Sequence, residues 1–480
     1  MMAKPGTDAT PRARLFLGHP LGLGYLTFAD AWERFSFSGM QALLVLYMGQ
    51  RLLLPGHVEH VAGFAAFRGA VEHLYGRHLS VGALASAIFG LYSGGVYLTP
   101  IAGGLLADRG LGRTRTITRG ACLLVAGHFL MAFEAPFLVA LACLVIGVGC
   151  FKGNMATQVG ELYAPGDLRR ADAFQIYMIG ISMAAIVSPL VCGALGQRVA
   201  WHWGFAAAGV GMLVGLAVYL SGTRLYPEAR RTGKRDDAPR PRLVKGEGLT
   251  IAVLLALLPA LALSSVGNQQ MFNAYLVWGD AHLNLRVFGQ ALPVTWLISA
   301  DAFIATGAMA FTVMFWRWWA IRRREPDEIV KLVLGVAISA TAPLILALAS
   351  AHEAVSGRRI GLAWALAFHF VNEVGVANVF PVGLALFSRA SPKAVGGVMI
   401  GVYYLSLFAA NMLVGWLGGL LETMTPTAFW LLHSGLVASG GVMLLGLALA
   451  FRRILTPMVD PEASAKVAPS PTAQANPAIS

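Results

Sequence analysis

Asp30-Ala-Trp-Glu33-Arg34-Phe-Ser-Phe37-Ser38-Gly39 puts two acids and an arginine inside the first long apolar segment of the chain, residues 21–49. An ionisable side chain at bilayer depth costs at least ~2.5–3.5 kcal/mol, so three kept together are expected to be used. Asp30, Glu33 and Arg34 stand at i, i+3 and i+4. They therefore share one helical face, and Asp30 can pair with Arg34 one turn away. The plainer alternative is a pair that snorkels to one interface, but Arg34 lies far from either end of its segment.

The rest of the chain repeats the membrane signal. Of its 480 residues, 57% are hydrophobic and 12% charged, far from soluble-globular usage. Twelve apolar segments are long enough to cross ~30 Å of hydrocarbon: 21–49, 80–107, 117–134, 136–158, 172–196, 201–222, 248–278, 290–316, 329–351, 359–388, 394–420 and 427–451. With both termini inside, the inner segments carry 27 of the 36 Lys and Arg and the outer loops 7, while Arg34 and Lys152 fall within spans. This positive-inside asymmetry sets the orientation, and an even span count agrees with it. The net charge of +12 then reports topology and contact with anionic lipid. Nucleic acid is excluded as a partner, since the basic residues are spread over seven segments.

Other classes are excluded too. No Gly-rich phosphate loop follows a strand, which argues against an ATP-driven pump. The polar first residues carry no cleavable signal pattern, so the first span is itself the insertion signal. Cys122, Cys143, Cys150 and Cys192 all fall in apolar segments and read as small hydrophobes rather than a disulfide or metal set.

The layout predicts an N-terminal tail (1–20), a six-helix bundle (21–222), a charged linker on the inner side (223–247), a second six-helix bundle (248–455) and a disordered Ala/Pro/Ser-rich tail (456–480). Six plus six spans is what a transporter of two repeated halves produces, with its binding site at mid-membrane between them. The outer segment 50–79 has helical amphipathic spacing (Val58, Val61, Phe64, Phe67, Val71, Leu74) and is expected to lie at the interface.

Between the second and third spans stands Gly104-Leu-Leu-Ala-Asp108-Arg109-Gly-Leu-Gly112-Arg113-Thr-Arg115. It resembles the G-x-x-x-D-R-x-x-G-R signature of the major facilitator superfamily, which implies an all-α major facilitator fold of twelve transmembrane helices in two six-helix halves. Three further segments resemble one branch of it, the proton-dependent oligopeptide transporters. The opening stretch is similar to their E-x-x-E-R-F-x-Y-Y-G. Gly147-Val-Gly-Cys-Phe-Lys152-Gly153-Asn154 with Gly160-Glu161-Leu162-Tyr163 is similar to G-x-G-x-x-K-P-N…G-E-L-Y. Asp172-Ala-Phe-Gln-Ile-Tyr177-Met-Ile-Gly-Ile-Ser182 is similar to F-x-x-x-Y-x-x-I-N. Weaker echoes lie at Gly90–Pro100, Val287–Gly289 and Phe380–Leu384.

The resemblance implies a monomeric symporter of the bacterial inner membrane, with both termini cytoplasmic. It implies import of di- and tripeptides on the proton gradient, with no cofactor and no enzymatic activity. The matched residues suit that task. A zwitterionic peptide needs a fixed cation for its carboxylate, and Arg34 offers a fork while Lys152 offers a point charge on a facing helix. Glu33 beside Lys152 can pair with it when ionised and release it when protonated, biasing two access states. Tyr92, Tyr97 and Tyr177 either grip the peptide backbone or simply pack. Ser182, Gln269 and Asn273 complete the expected substrate set. Gly104, Asp108, Arg109, Gly112 and Arg113 form the gating motif.

The second half departs from the family pattern. The seventh-helix glutamate of the family falls on Gln269, and the tenth-helix glutamate, which commonly receives the peptide amine, falls on Val376. The eighth-helix asparagine aligns with Asp301. Two unusual intramembrane acids remain, Asp301 and Glu373, the latter about 4.5 Å along the axis from Val376. Asp301 is therefore expected to take over proton coupling, alongside Glu33 and Asp30, and Glu373 to meet a displaced amine. The alternative is that Asp301 is held by a local backbone bond, and Glu373 by His369 or Asn372. His369, His128 and His433 read as packing residues. Two other functions stay open: proton-coupled transport of a non-standard cargo (a modified peptide, amino-acid derivative or organic anion, such as one whose only charge is a carboxylate), or a membrane sensor that no longer transports.

Overall fold

A computed structural model describes residues 15–164, 166–227, 243–244, 246–392 and 394–455. The expected tails lie outside the described residues up to residue 14 and from residue 456, as do 228–242 and 245 of the linker. Twelve long helices carry the fold: α1 (Leu21–Tyr47), α2 (Val81–Leu106), α3 (Arg113–Leu130), α4 (Phe137–Glu161), α5 (Arg169–Ala194), α6 (Trp201–Ser221), α7 (Glu247–Gln269), α8 (Trp296–Arg322), α9 (Glu328–Ser356), α10 (Leu362–Ala390), α11 (Gly396–Gly418) and α12 (Pro426–Ala450). Ten are long and apolar enough to cross a membrane on composition alone. The other two, α1 and α3, carry the Asp30/Glu33/Arg34 group and Arg113, Arg115 and Arg119 respectively.

Three segments differ from the sequence expectation. The span expected over 248–278 is interrupted: α7 ends at Gln269, a tight turn covers Gln270–Phe272, and a separate short helix runs Ala274–His282. Asn273 causes the break, its backbone at φ −121°, ψ −108° lying outside the helical region. The span expected from residue 290 begins only at Trp296. Before it, Arg286–Val287 and Gln290–Ala291 pair as an antiparallel hairpin turned by Phe288 and Gly289, both at positive φ. In 50–79 a helix spans Phe64–Tyr75, burying Phe64 and Val71 while Leu74 stays exposed.

The helix pairings repeat with a shift of six. In the first half α3 packs on α4 and α6, α1 on α5 and α6, and α2 on α4. In the second half α9 packs on α10 and α12, α7 on α11 and α12, and α8 on α10. The halves meet through α2 against α11 and α5 against α8, two contacts that are also images of each other under the same shift. This is the internal repeat that places a site between the bundles.

Small residues allow the close approach, as interfaces inside membranes require. A Cβ on Gly90 would sit 2.6 Å from the Gly415 Cα, and one on Gly103 would sit 2.0 Å from the Gly149 carbonyl oxygen. At the end of the bundle opposite the chain termini, polar links tie the halves together. Gln50 donates to Asp280 (2.9 Å), Arg198 to the Ala291 carbonyl (2.6 Å), the Thr295 hydroxyl to Gln197 (2.8 Å) and Trp296 to the Leu190 carbonyl (3.2 Å). Glu422 accepts there from the Ser80 hydroxyl and the Gly82 amide. This end of the molecule is closed.

Candidate functional site

Asp30, Glu33, Arg34 and Phe37 line one stripe of α1, spaced i, i+3, i+4 and i+7. The neighbouring stripe fixes that helix: the Ser36 hydroxyl donates to the Ala208 carbonyl (2.6 Å), and a Cβ on Gly39 would meet Cys192 Sγ at 2.6 Å. With its small face locked against α5 and α6, α1 turns its charged stripe toward α2, α4 and α5. Asp30 and Glu33 are 3% and 2% exposed. Arg34 is half-buried.

The expected ion pairs are not made. Asp30 takes its hydrogen bond from the Tyr177 hydroxyl of α5, not from Arg34. Lys152 of α4 does not contact Glu33 directly. Its Nζ lies 5.5 Å from the Phe37 ring centre and 5.6 Å from that of Tyr97. The Arg34 guanidinium also lies 5.5 Å from the Phe37 ring. Phe37 thus stands between the two cations and contacts both. The four charges remain within electrostatic reach of one another. Asp30 Oδ1, Glu33 Oε2, Arg34 Nε and the Tyr92 hydroxyl are buried without a partner among the described residues. Buried polar atoms are nearly always satisfied, so a cluster of exceptions marks a place for ligand or proton.

Opposite this cluster, Tyr97 of α2 accepts a 3.4 Å bond from Gln269 of α7, a contact between the halves. Ser182 is half-buried on α5. Asn273 does not reach the cluster. It is fully buried and donates to the Val414 carbonyl of α11 (3.3 Å), where it closes the break after α7.

The acids of the second half are joined to each other. His369 Nδ1 lies 2.8 Å from Asp301 Oδ1, and its Nε2 lies 2.9 Å from the Tyr275 hydroxyl. The Asp301 and Glu373 carboxyls lie close to each other in the same buried cluster. Asn372 donates to both Glu373 Oε1 and Asn268 Oδ1 at 2.8 Å. Asp301 is therefore held by a histidine 68 residues away, not by a local backbone bond. Glu373 is already engaged by Asn372 and Asp301, which leaves it poorly placed to meet a substrate amine. His369 is more than packing, since both ring nitrogens are bonded. His433, in contrast, bonds its own helix at Phe429.

In the loop motif, Arg113 pairs with Asp108 (3.0 Å) and contacts Glu161 at the end of α4. Gly112 turns the chain at φ +78° into α3, a conformation that favours glycine. Arg109 is exposed. Gly104 faces open space, and its neighbour Gly103 makes the tight helix contact instead. Asn154 donates to the Gly103 carbonyl (3.2 Å), tying α4 to α2 at that crossing.

A model of the POT family matches residues 114–237. Across nearly the whole chain, the peptide transporter YePEPT of Yersinia enterocolitica is 26% identical, over 93% of this chain and 97% of its own. A di-/tripeptide transporter of Lactococcus lactis is 28% identical over 90% of this chain and 96% of its own. A crystal structure of a mutant peptide transporter POT in complex with alafosfalin superposes with a TM-score of 0.77 at 26% identity, covering 92% of this chain and 97% of that one. Over nearly its whole length the chain is thus similar to peptide transporters of the POT family. Its fold is the major facilitator fold expected from the sequence, and it is an integral membrane protein.

Proposed function

We propose that this chain is a proton-coupled symporter that imports di- and tripeptides by alternating access, acting as a monomer in the bacterial inner membrane with both termini cytoplasmic. One observation carries the reading: two cations, Arg34 and Lys152, flank a single aromatic ring with no anion in ion-pair contact among the described residues. Such a pair is a receptor for a carboxylate in a low-dielectric setting, with the guanidinium fork giving geometry and the ammonium giving charge. Glu33 and Asp30 sit close enough to trade places with that carboxylate as protons arrive. Tyr97 and Gln269 bridge the two halves beside the cations, where bound backbone can replace their long mutual bond. The two six-helix bundles, 21–222 and 248–455, are the rocking units, and 223–247 joins them. In this orientation the tied end faces outward.

Purified protein in proteoliposomes with an imposed inward proton gradient tests this. Radiolabelled dialanine is expected to accumulate and to leak away when a protonophore is added. Equal uptake with and without the gradient would remove proton coupling from the account. A second reading is favoured by the engagement of Glu373 and by Val376: a cargo with a carboxylate but no free amine. N-blocked peptides outcompeting free-amine peptides in the same vesicles would select it.

A further inference from the structure

Polar side chains of α8, α10, α7 and the short Ala274–His282 helix form one cluster: Tyr275 to His369, His369 to Asp301, Asp301 beside Glu373, Glu373 to Asn372, and Asn372 to Asn268. All the links but the last lie among side chains that are at least nine-tenths buried. Two ionised carboxylates cannot hydrogen-bond each other, so a bond between these neighbouring acids needs a proton on one of them. Among the described residues the one group in contact that can carry a compensating charge is His369, 2.8 Å from Asp301. The helices packed against α8 and α10 are α5, α7, α9, α11 and, at the end of α10 near Arg389, the short Arg452–Leu455 helix. Among the described residues none supplies a further charged group that acts on the pair, and Arg34 and Lys152 do not reach it. The only titratable neighbours are His369 and Tyr275.

We propose that the Asp301–Glu373 pair is the exchangeable proton site of the second half, with His369 and Tyr275 as the residues that position it. The inference rests on the proton-coupled reading above and names the atoms that hold the proton. Loading the pair joins α8 to α10 through the shared proton. Losing the proton while His369 is neutral leaves two neighbouring carboxylates without a cation, an arrangement the buried site does not sustain. Deprotonation therefore pushes α8 and α10 apart, and α8 is the helix that meets α5 of the other half. The proton thereby acts on the contact that alternating access has to rearrange. Glu373 belongs to this pair and not to the substrate amine.

Infrared difference spectroscopy on the purified protein reads the proton without any peptide. The wild type is expected to show a protonated-carboxyl C=O band that disappears as pH rises through the range where uptake operates. That band should be lost or displaced in both Asp301→Asn and Glu373→Gln, and should persist in Glu33→Gln. His369→Gln should move the pH midpoint of the band, which a merely packing histidine would not do. In vesicles, Asp301→Asn and Glu373→Gln should each lose gradient-driven accumulation at least tenfold. A titrating band that survives both replacements, or a band in the wild type that never responds to pH, overturns the proposal. A wild type that moves no peptide leaves the infrared result standing, so failure of the transport reading is seen separately.

Discussion

Equivalent helices of the two halves carry opposite solutions to the same problem. In the first half α1, α2, α4 and α5 hold two cations and two acids that do not pair, together with several buried polar atoms left unpartnered. In the second half α7, α8 and α10 hold two acids, a histidine and amides, with no cation, knitted into one hydrogen-bonded chain. An unsatisfied charge cluster is costly to hold and ready to bind. A satisfied one is stable until its proton leaves. The difference teaches a division of labour in which the first half receives charge from the ligand and the second stores the proton.

Replacing Arg34 should break the comparison most severely. Arg34→Ala is expected to cut peptide affinity by roughly 10–100-fold, the ~1.5–3 kcal/mol of a charged hydrogen bond, measured by equilibrium binding in detergent. Arg34→Lys should recover only part of that, because a point charge cannot copy the fork.

Gly90→Leu comes next. Its side chain has no room against Gly415, so it should wedge the tied outer end. Uptake should fall at least ~10-fold, with a gain in reaction of a cysteine at position 97 with an impermeant thiol reagent added outside. The loss expected is that of a small-residue crossing forced apart. Unchanged reactivity would mean that α2 and α11 do not form the outer closure.

Tyr177→Phe removes the hydroxyl that Asp30 accepts from. A buried acceptor left unmet costs about 1–3 kcal/mol. The expected result is a smaller loss of uptake than in the Arg34 variants, with thermal stability in detergent lowered. Uptake and melting both at wild-type values would show that Asp30 has another partner in the working cycle.

The smallest effect lies outside the membrane. The Leu79 amide, Arg68 and His78 all bond Glu72, holding its carboxyl down to about 2 from the ordinary 4.5. A depressed acid lends stability that is present above its unfolded value and is lost as pH falls through its folded one. Hydrogen exchange at the Leu79 amide should therefore stay protected from neutral pH to about 4.5 and lose protection toward about 2. Loss of protection already at neutral pH would contradict the assignment.

The sequence made the architecture legible because hydrophobic length and Lys/Arg placement are local signals, as is the spacing Gly104–Arg115. It showed that Asp30, Glu33, Arg34 and Lys152 are costly and therefore used. It could not show with whom they bond. Tyr177 lies 147 residues from Asp30, and His369 lies 68 from Asp301, so helix packing rather than spacing joins them. Helical spacing suggested Asp30 with Arg34, and tertiary packing gave Asp30 to Tyr177 instead. The break at Asn273 was hidden because 248–278 carries no charged residue and is long enough to read as one span, and Asn273 is placed by its bond to the Val414 carbonyl. A spare acid near a family position, Glu373, was visible, but that it leans on Asp301 was not. One available clue was that His369 stands one turn before Glu373 in an otherwise apolar helix.

The division of labour is tested most directly by loading vesicles with a pH-sensitive dye and driving dialanine in down its own gradient, without an imposed proton gradient. The wild type is expected to acidify the interior as peptide enters. In Asp301→Asn, protons carried per peptide should fall at least tenfold, while in Arg34→Ala peptide and proton flux should fall together. Acidification per peptide that is unchanged in Asp301→Asn, or selectively lost in Arg34→Ala, would contradict the account.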